Sequence, residues 1–220
     1  NQIFLGYVIG LDYKNPYLSP YDEFQKFKTH PVIKNILTNG KRIAYGARAL
    51  IEGGLQSLPR MYMPGALIVG CDAGTLNMPK IKGSHTAMKS GILAAETIND
   101  YLNQSIPLSS YESKFKNSWL YEELFSARNV KPSFNWGLIP AIIFTGIDQI
   151  IFRGKLPFTL KHKHQDYETL QSANNSKKID YPKYDGVFTF DKTSSVYLTG
   201  TNHEENQPVH LQLKDKDLPI

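Results

Sequence analysis

Residues Gly65–Ala95 read GALIVGCDAGTLNMPKIKGSHTAMKSGILAA, and the order of parts in this stretch decides the fold. Ala66–Val69 predicts a short strand that runs straight into Gly70-Cys71-Asp72-Ala73-Gly74. A second loop, 77–83, leads to a helix beginning at Ser84 or nearby. On that helix Met88, Gly91, Ile92, Ala95, Ile98 and Leu102 recur at three- and four-residue spacing and form one apolar stripe. The unit suits a polar, electron-rich ligand. Gly70 and Gly74 let backbone come close, and the unpaired amides at the positive end of the helix face phosphate or carbonyl oxygens. Asp72 sits where a carboxylate accepts hydrogen bonds from sugar-like hydroxyls. A bare G-x-D-x-G also serves as a plain tight turn capped by Asp72.

Working outward, IFLGYVIGL at Ile3–Leu11 is apolar on both alternating sets, as expected of a strand buried on both faces, and a short buried helix has the same pattern. Ser19, Pro20, Asp22 and Glu23 supply the cap, first-turn proline and acidic first turn of a helix carrying Tyr21, Phe24 and Phe27. A short helix follows near Val32–Leu37. Ile43–Leu50 reads equally as strand or helix, and Gly53-Gly54 ends it. Downstream, Ser109 with Glu112 has the spacing of a capping box for one helix over about 110–126, with a Tyr111, Phe115, Trp119 stripe. Gln165–Asp185 is polar and without period. Strand-like pieces fall at Val187–Phe190, Ser195–Leu198 and Val209–Leu213.

The 220 residues are 41% hydrophobic and 20% charged, enough apolar mass for a core without a disulfide or metal staple. The lone cysteine, Cys71, excludes an internal disulfide and any cluster or zinc site built from this chain's cysteines alone, and points to a reducing compartment. His203, Glu204 and His210 have a weak metal-ligand spacing and read as structural. The first residue is Asn and no targeting segment is visible, so the chain reads as processed or excised. No run of about 20 apolar residues, the length a spanning helix needs, occurs. Of the +5 net charge, Arg128–Lys163 carries six basic residues against one acid, whereas 184–220 has three lysines against six acids. That split argues against a nucleic-acid footprint. The basic segment encloses FNWGLIPAIIFTGIDQIIF, Phe134–Phe152, in which only Asp148 is charged. Such a stretch either lies at a lipid headgroup boundary, drawn by the flanking cations, or is a buried core helix with solvated ends.

The strand before and the small-residue helix after the Gly70–Gly74 turn favour a flavin: FAD enzymes of the glutathione-reductase type bring a Gly-Asp turn to the ribityl chain in this setting. Longer strings are more specific. GLDYKNPYLSPYDEFQKFKTHP (Gly10–Pro31), GKRIAYGARALIEGG (Gly40–Gly54), NMPKIKGSHTAMKSGILAAE (Asn77–Glu96) and LTGTNHEENQPVHLQLKD (Leu198–Asp215) together resemble the electron transfer flavoprotein-ubiquinone oxidoreductase family, in collinear order over nearly the whole chain.

The resemblance implies an α+β chain: part of a glutathione-reductase-like FAD domain with an attached ubiquinone- and membrane-binding region. Its expected divisions are 1–55, part of the ubiquinone-binding domain; 56–127, the C-terminal half of the FAD domain; 128–163, a membrane-associated segment; and 164–220, a tail docking toward an iron-sulfur domain. The implied activity passes electrons from electron transfer flavoprotein to ubiquinone through FAD and a 4Fe-4S cluster, in a monotopic protein on the matrix side of the mitochondrial inner membrane. Flavin contacts are expected from Gly70, Cys71, Asp72, Ala73 and Gly74 and from Lys82, Gly83, Ser84, His85 and Thr86, with Asp72 and Thr86 foremost. Membrane- or quinone-facing residues are expected at Trp136, Leu138, Ile139, Ile142, Ile143 and Phe144. No acid, base or nucleophile is assigned, because the chemistry belongs to the cofactors.

Two family features are missing from these 220 residues: the G-x-G-x-x-G turn that cradles the FAD pyrophosphate, and the four cysteines of the cluster. The chain therefore reads as the central portion of such an oxidoreductase, completed by further segments or a companion chain. The other readings are a degenerate, non-catalytic structural subunit of an inner-membrane complex, or a lipid-binding module unrelated to redox chemistry.

Overall fold

The computed structural model describes residues 2–208, and the strand expected at Val209–Leu213 and His210 lie outside them. In the described chain helices are the main regular elements, with a single ladder of two-residue strands, compatible with an α+β class. It forms two units, residues 48–165 and residues 2–47 with 166–208.

In the unit 48–165, β1 (Tyr62–Met63) pairs antiparallel with β2 (Ala66–Leu67). Pro64 presets one turn dihedral and Gly65, at φ +80°, takes the left-handed one. A 3-10 turn, Gly70–Ala73, then leads through the second loop to α3 (Ser84–Gln104), which starts where its sequence predicts. The helix expected over 110–126 is two, α4 (Ser110–Lys116) and α5 (Trp119–Ser126), broken at Asn117-Ser118. The Ser109 side chain makes no cap bond; its carbonyl takes the Glu112 amide instead, so the capping box does not form. Met61, Ala73, Leu93, Ala94, Tyr111, Phe115, Leu120 and Leu124 make the core of this unit.

The buried face of α3 is not the predicted stripe. Met88, Ile92, Ala95, Ile98 and Leu102 are exposed, while Thr86, Ser90, Leu93, Ala94 and Thr97 face the core. Three hydroxyls can go inside because each is satisfied on its own helix or cap: Thr86 Oγ1 donates to Gly83 O, Ser90 Oγ to Ala87 O and Thr97 Oγ1 to Leu93 O. Their small size also lets the Gly70 turn and α4 approach closely.

After α5 come α6 (Val130–Ser133), a 3-10 turn over Phe134–Trp136, α7 (Leu138–Gly146) and a π-helical turn, Ile147–Ile151. Here the core-helix alternative fails. Only Ala141 and Asp148 are buried between 138 and 152, and Leu138, Ile139, Ile142, Ile143, Ile147, Ile150, Ile151 and Phe152 are exposed.

In the other unit, Ser19 Oγ accepts the Asp22 amide and Pro20 opens α1 (Pro20–Lys28), as the sequence predicts; α2 (Pro31–Leu37) follows. The strand expected at Ile3–Leu11 is absent. A strand needs a hydrogen-bonded neighbour, and among the described residues none pairs with it, so Phe4 stands 91% exposed. Ile43–Leu50 is neither strand nor helix. The chain over 181–198 runs along α1: Tyr21 Oη lies 2.6 Å from Phe190 O, Tyr184 Oη donates to Asp22, and Arg42 stacks 3.8 Å above the Phe190 ring while donating to Ser195 Oγ. Val187–Phe190, expected as a strand, is a turn in which Asp185 Oδ1 accepts the amides of Val187, Phe188 and Thr189. Ser195–Leu198, also expected as a strand, falls largely in α8 (Lys192–Tyr197), because Asp191 caps it through the Ser194 amide.

Candidate functional site

The ten expected ligand-facing residues fall on two loops that meet and on the first turn of α3. In the first, Gly70 (φ +71°) and Gly74 (φ +88°) occupy the left-handed region and bracket the 3-10 turn. The Gly70 amide donates to Ser90 Oγ at 2.8 Å, fastening the turn to the second turn of α3. Ala73 and Gly74 are buried and Cys71 is half-buried; Asp72 is exposed, and its side chain makes no hydrogen bond or ion pair among the described residues.

In the second loop, an Asn77–Lys82 bridge closes the chain, and the Lys80 amide donates to Asn77 Oδ1. Gly83 is where the loops touch: a Cβ there would lie 2.8 Å from Cys71 Sγ and 2.9 Å from Leu76 Cδ1. Any side chain there would have to displace both of these side-chain ends. Gly83 also heads α3, and no side chain caps the helix. The amides of the first turn, Ser84 to Thr86, thus stay available at the positive end of a 21-residue helix. Lys82 and Ser84 are exposed; Thr86 is fully buried and turns its hydroxyl inward to Gly83 O.

A residue outside the sequence motif holds this loop. Glu123, on α5, accepts hydrogen bonds from Asn77 Nδ2 at 2.7 Å and His85 Nε2 at 2.8 Å, and pairs with Lys80 Nζ at 3.1 Å. Burial by itself would raise the Glu123 carboxyl, but the hydrogen bonds from His85, Asn77 and Lys80 and the Lys80 charge outweigh it and hold the group below the ordinary carboxylate range. The His85 ring lies parallel to Trp119, with centroids 5.9 Å apart. No local pattern marks Glu123, since its partners are 38 to 46 residues away.

These residues fit a flavin. Two loops that meet at Gly83 flank the free first-turn amides of an uncapped helix, and Thr75 Oγ1, buried at the end of the first loop, has no hydrogen-bond partner among the described residues. The ligands offered are mainly main-chain amides, with Lys82 and Ser84 as exposed side chains. Among the described residues, no group of three or more His, Cys, Asp or Glu comes together as a metal site.

Further along the same unit, Trp136, Leu138, Ile139, Ile142 and Ile143 form an exposed apolar surface, with Phe144 packed edge-on to Trp136 at 5.2 Å. Arg153, Lys155, Lys161 and Lys163 are exposed beside it in sequence. Among the described residues, no helix is long and apolar enough to cross a membrane.

Two family models of ubiquinone oxidoreductases match: the ETF-QO ubiquinone-binding model over residues 1–50, and the 4Fe-4S model of electron transfer flavoprotein-ubiquinone oxidoreductase over residues 186–220. The protein named electron transfer flavoprotein-ubiquinone oxidoreductase in Pseudomonas aeruginosa is 55% identical over 225 residues, covering 100% of this chain and 41% of its own length. Those named electron transfer flavoprotein-ubiquinone oxidoreductase, mitochondrial, in Sus scrofa and Homo sapiens are each 53% identical over 226 residues, covering 98% of this chain and 37% of theirs. By sequence, therefore, the whole chain is similar to electron transfer flavoprotein-ubiquinone oxidoreductases. It spans about two-fifths of the length of the relatives it matches.

Proposed function

We propose that this chain is the central part of an enzyme that passes electrons from electron transfer flavoprotein to ubiquinone through FAD and a 4Fe-4S cluster. The observation that carries the reading is the pair of loops meeting at Gly83 and Cys71, set at an uncapped helix within a chain whose whole length matches that family. Bound FAD would supply the redox chemistry. This chain's residues would bind and orient it: the Gly70–Gly74 turn and the Ser84–Thr86 amides approach its polar edges, and Lys82 and Ser84 line the rim. Further polypeptide, in the same chain or a companion, supplies the pyrophosphate turn and the cluster cysteines.

In this reading residues 1–55 belong to a ubiquinone-binding domain, 56–127 to the second half of the FAD domain, 128–163 to a membrane-associated segment and 164–220 to a tail that leads into the iron-sulfur domain. The exposed surface from Trp136 to Phe152 docks on lipid without spanning it, and gives quinone an apolar approach. In a mitochondrial host that membrane is the matrix face of the inner membrane.

The test is a visible absorption spectrum of the protein as isolated, with co-purifying chains kept. An oxidised-flavin band is expected. A folded protein with no flavin would overturn the reading in favour of a non-catalytic structural subunit.

A further inference from the structure

We propose that Glu123 is the positioning residue of the flavin-facing loop, acting through His85. The inference rests on the reading that this loop faces FAD. Glu123 joins three side chains, Asn77 and Lys80 of the second loop and His85 of the first turn of α3, each within 3.1 Å. Those three straddle Lys82 and Gly83, so one acceptor on α5 sets where the loop and the first turn of α3 stand. With Nε2 committed to Glu123 and its face committed to Trp119, the His85 ring keeps one orientation. Its Nδ1 is then the only ring nitrogen left to meet a ligand or solvent. His85 is thereby presented by α5, although it is covalently part of α3.

Loss of the acceptor frees all three partners at once. Gln at position 123 keeps one oxygen, which can still take Asn77 and His85 as Oε1 does, but it puts an NH2 group and no charge where Oε2 meets Lys80. Supporting partners of this kind change affinity by about 10- to 100-fold in metal sites, and the same scale is expected here.

The experiment uses the complete protein with all its chains, deflavinated and titrated with FAD. Glu123→Ala is expected to weaken FAD binding about tenfold or more, in line with that scale, with Glu123→Gln intermediate. Both are expected to change the visible circular dichroism of bound flavin, which reports its immediate surroundings. In an His85→Ala background, Glu123→Ala is expected to lose most of its effect, because the two residues act as one unit. Asp100→Asn, which breaks an ion pair with Lys114 at the other end of α3, is the control for stability and leaves flavin binding and dichroism unchanged. If Glu123→Ala does not fold, Glu123→Gln decides by the same readouts. Wild-type affinity and dichroism in the Glu123 variants, or effects that add fully to those of His85→Ala, overturn the inference while leaving the flavin reading intact. A wild-type protein that takes up no FAD overturns both.

Discussion

Arg128 Nη1 donates to the Gly154 carbonyl at 2.7 Å, and the Gly154 amide in turn donates to the Asp148 carbonyl at 2.8 Å, so both backbone polar groups of Gly154 are bound. Arg128 is only 6% exposed, and its guanidinium has no carboxylate partner among the described residues. Carbonyl dipoles take that role, from Phe125, Leu156 and Phe158 as well as Gly154, with Nε donating to Thr159 Oγ1 and the Phe125 ring lying 3.8 Å below. One side chain thus pins the strap that returns from the apolar surface.

Arg128→Lys keeps the charge and loses the fork. It leaves several buried carbonyls unpaired, and a destabilisation of about 2–3 kcal/mol is expected from thermal or denaturant melts. Gly154→Ala should cost at least as much. Gly154 sits at φ +70°, and a Cβ there would collide with the Ser126 backbone. Wild-type stability in both variants would show that the strap is not held here.

Lys28 supplies a pH-dependent prediction. Burial, and secondarily the Arg42 charge, lower its ammonium to about 8, against a weaker opposing pull from Asp185. The folded state therefore releases this proton near pH 8, while the unfolded chain keeps it until about 10.4. Between those values the unfolded state binds more protons, so stability from this group rises with pH across the window. Below pH 8 the charged form holds cation-π contacts to Phe24 and Phe190 that only partly offset its burial. Lys28→Met should remove the rise from a series of melts between pH 7 and 10.5; an unchanged slope would refute the assignment.

Asp148 lies fully buried in the π-helical turn, where Oδ2 takes a single hydrogen bond from Gln149 and Oδ1 has none. An amide in its place keeps an acceptor for Gln149 and removes the desolvation of a carboxylate. Asp148→Asn should leave stability unchanged or raise it in thermal melts at pH 7, whereas Asp148→Lys should lower it sharply. A clear loss with Asn would mean that the carboxylate has a partner of its own.

Much of the site could be read from neighbours in sequence, and much of the packing could not. The Ser19-Pro20 start of α1 and the Ser84 start of α3 are legible because caps and first turns are satisfied within a few residues. So is the glycine-bracketed turn. The buried face of α3 is a different matter: hydrophobicity marks Met88, Ile92, Ile98 and Leu102, but the face that packs is chosen by partners, and Thr86, Ser90 and Thr97 enter the core through bonds that cancel their polarity. The apolar Ile3–Leu11 run is no strand because none of the described residues offers it a pairing edge. Asp191 was missed as a cap because Ser195–Leu198 reads as β-prone on composition. Glu123 could not be found at all, since only the packing of α5 beside the second loop gives it a role.

The last prediction separates the two forces proposed to hold the surface from Trp136 to Phe152 on lipid. Ile139, Ile142, Ile143, Ile150 and Ile151 stand exposed, Ile150 by 80%, which favours the core of an interface over solvent. Lys155 and Lys161 are exposed cations nearby in the chain, each worth about 1 kcal/mol beside an anionic leaflet. Replacing both by Glu should reduce co-sedimentation of the complete protein with anionic vesicles at low salt, and do little at high salt, where the attraction is already screened. Ile142→Asp with Ile143→Asp should reduce binding under both conditions, because the apolar contribution is not screened. If the lysine reversal changes nothing at low salt, charge has no part in the docking; if the isoleucine pair changes nothing, the exposed face meets protein rather than lipid.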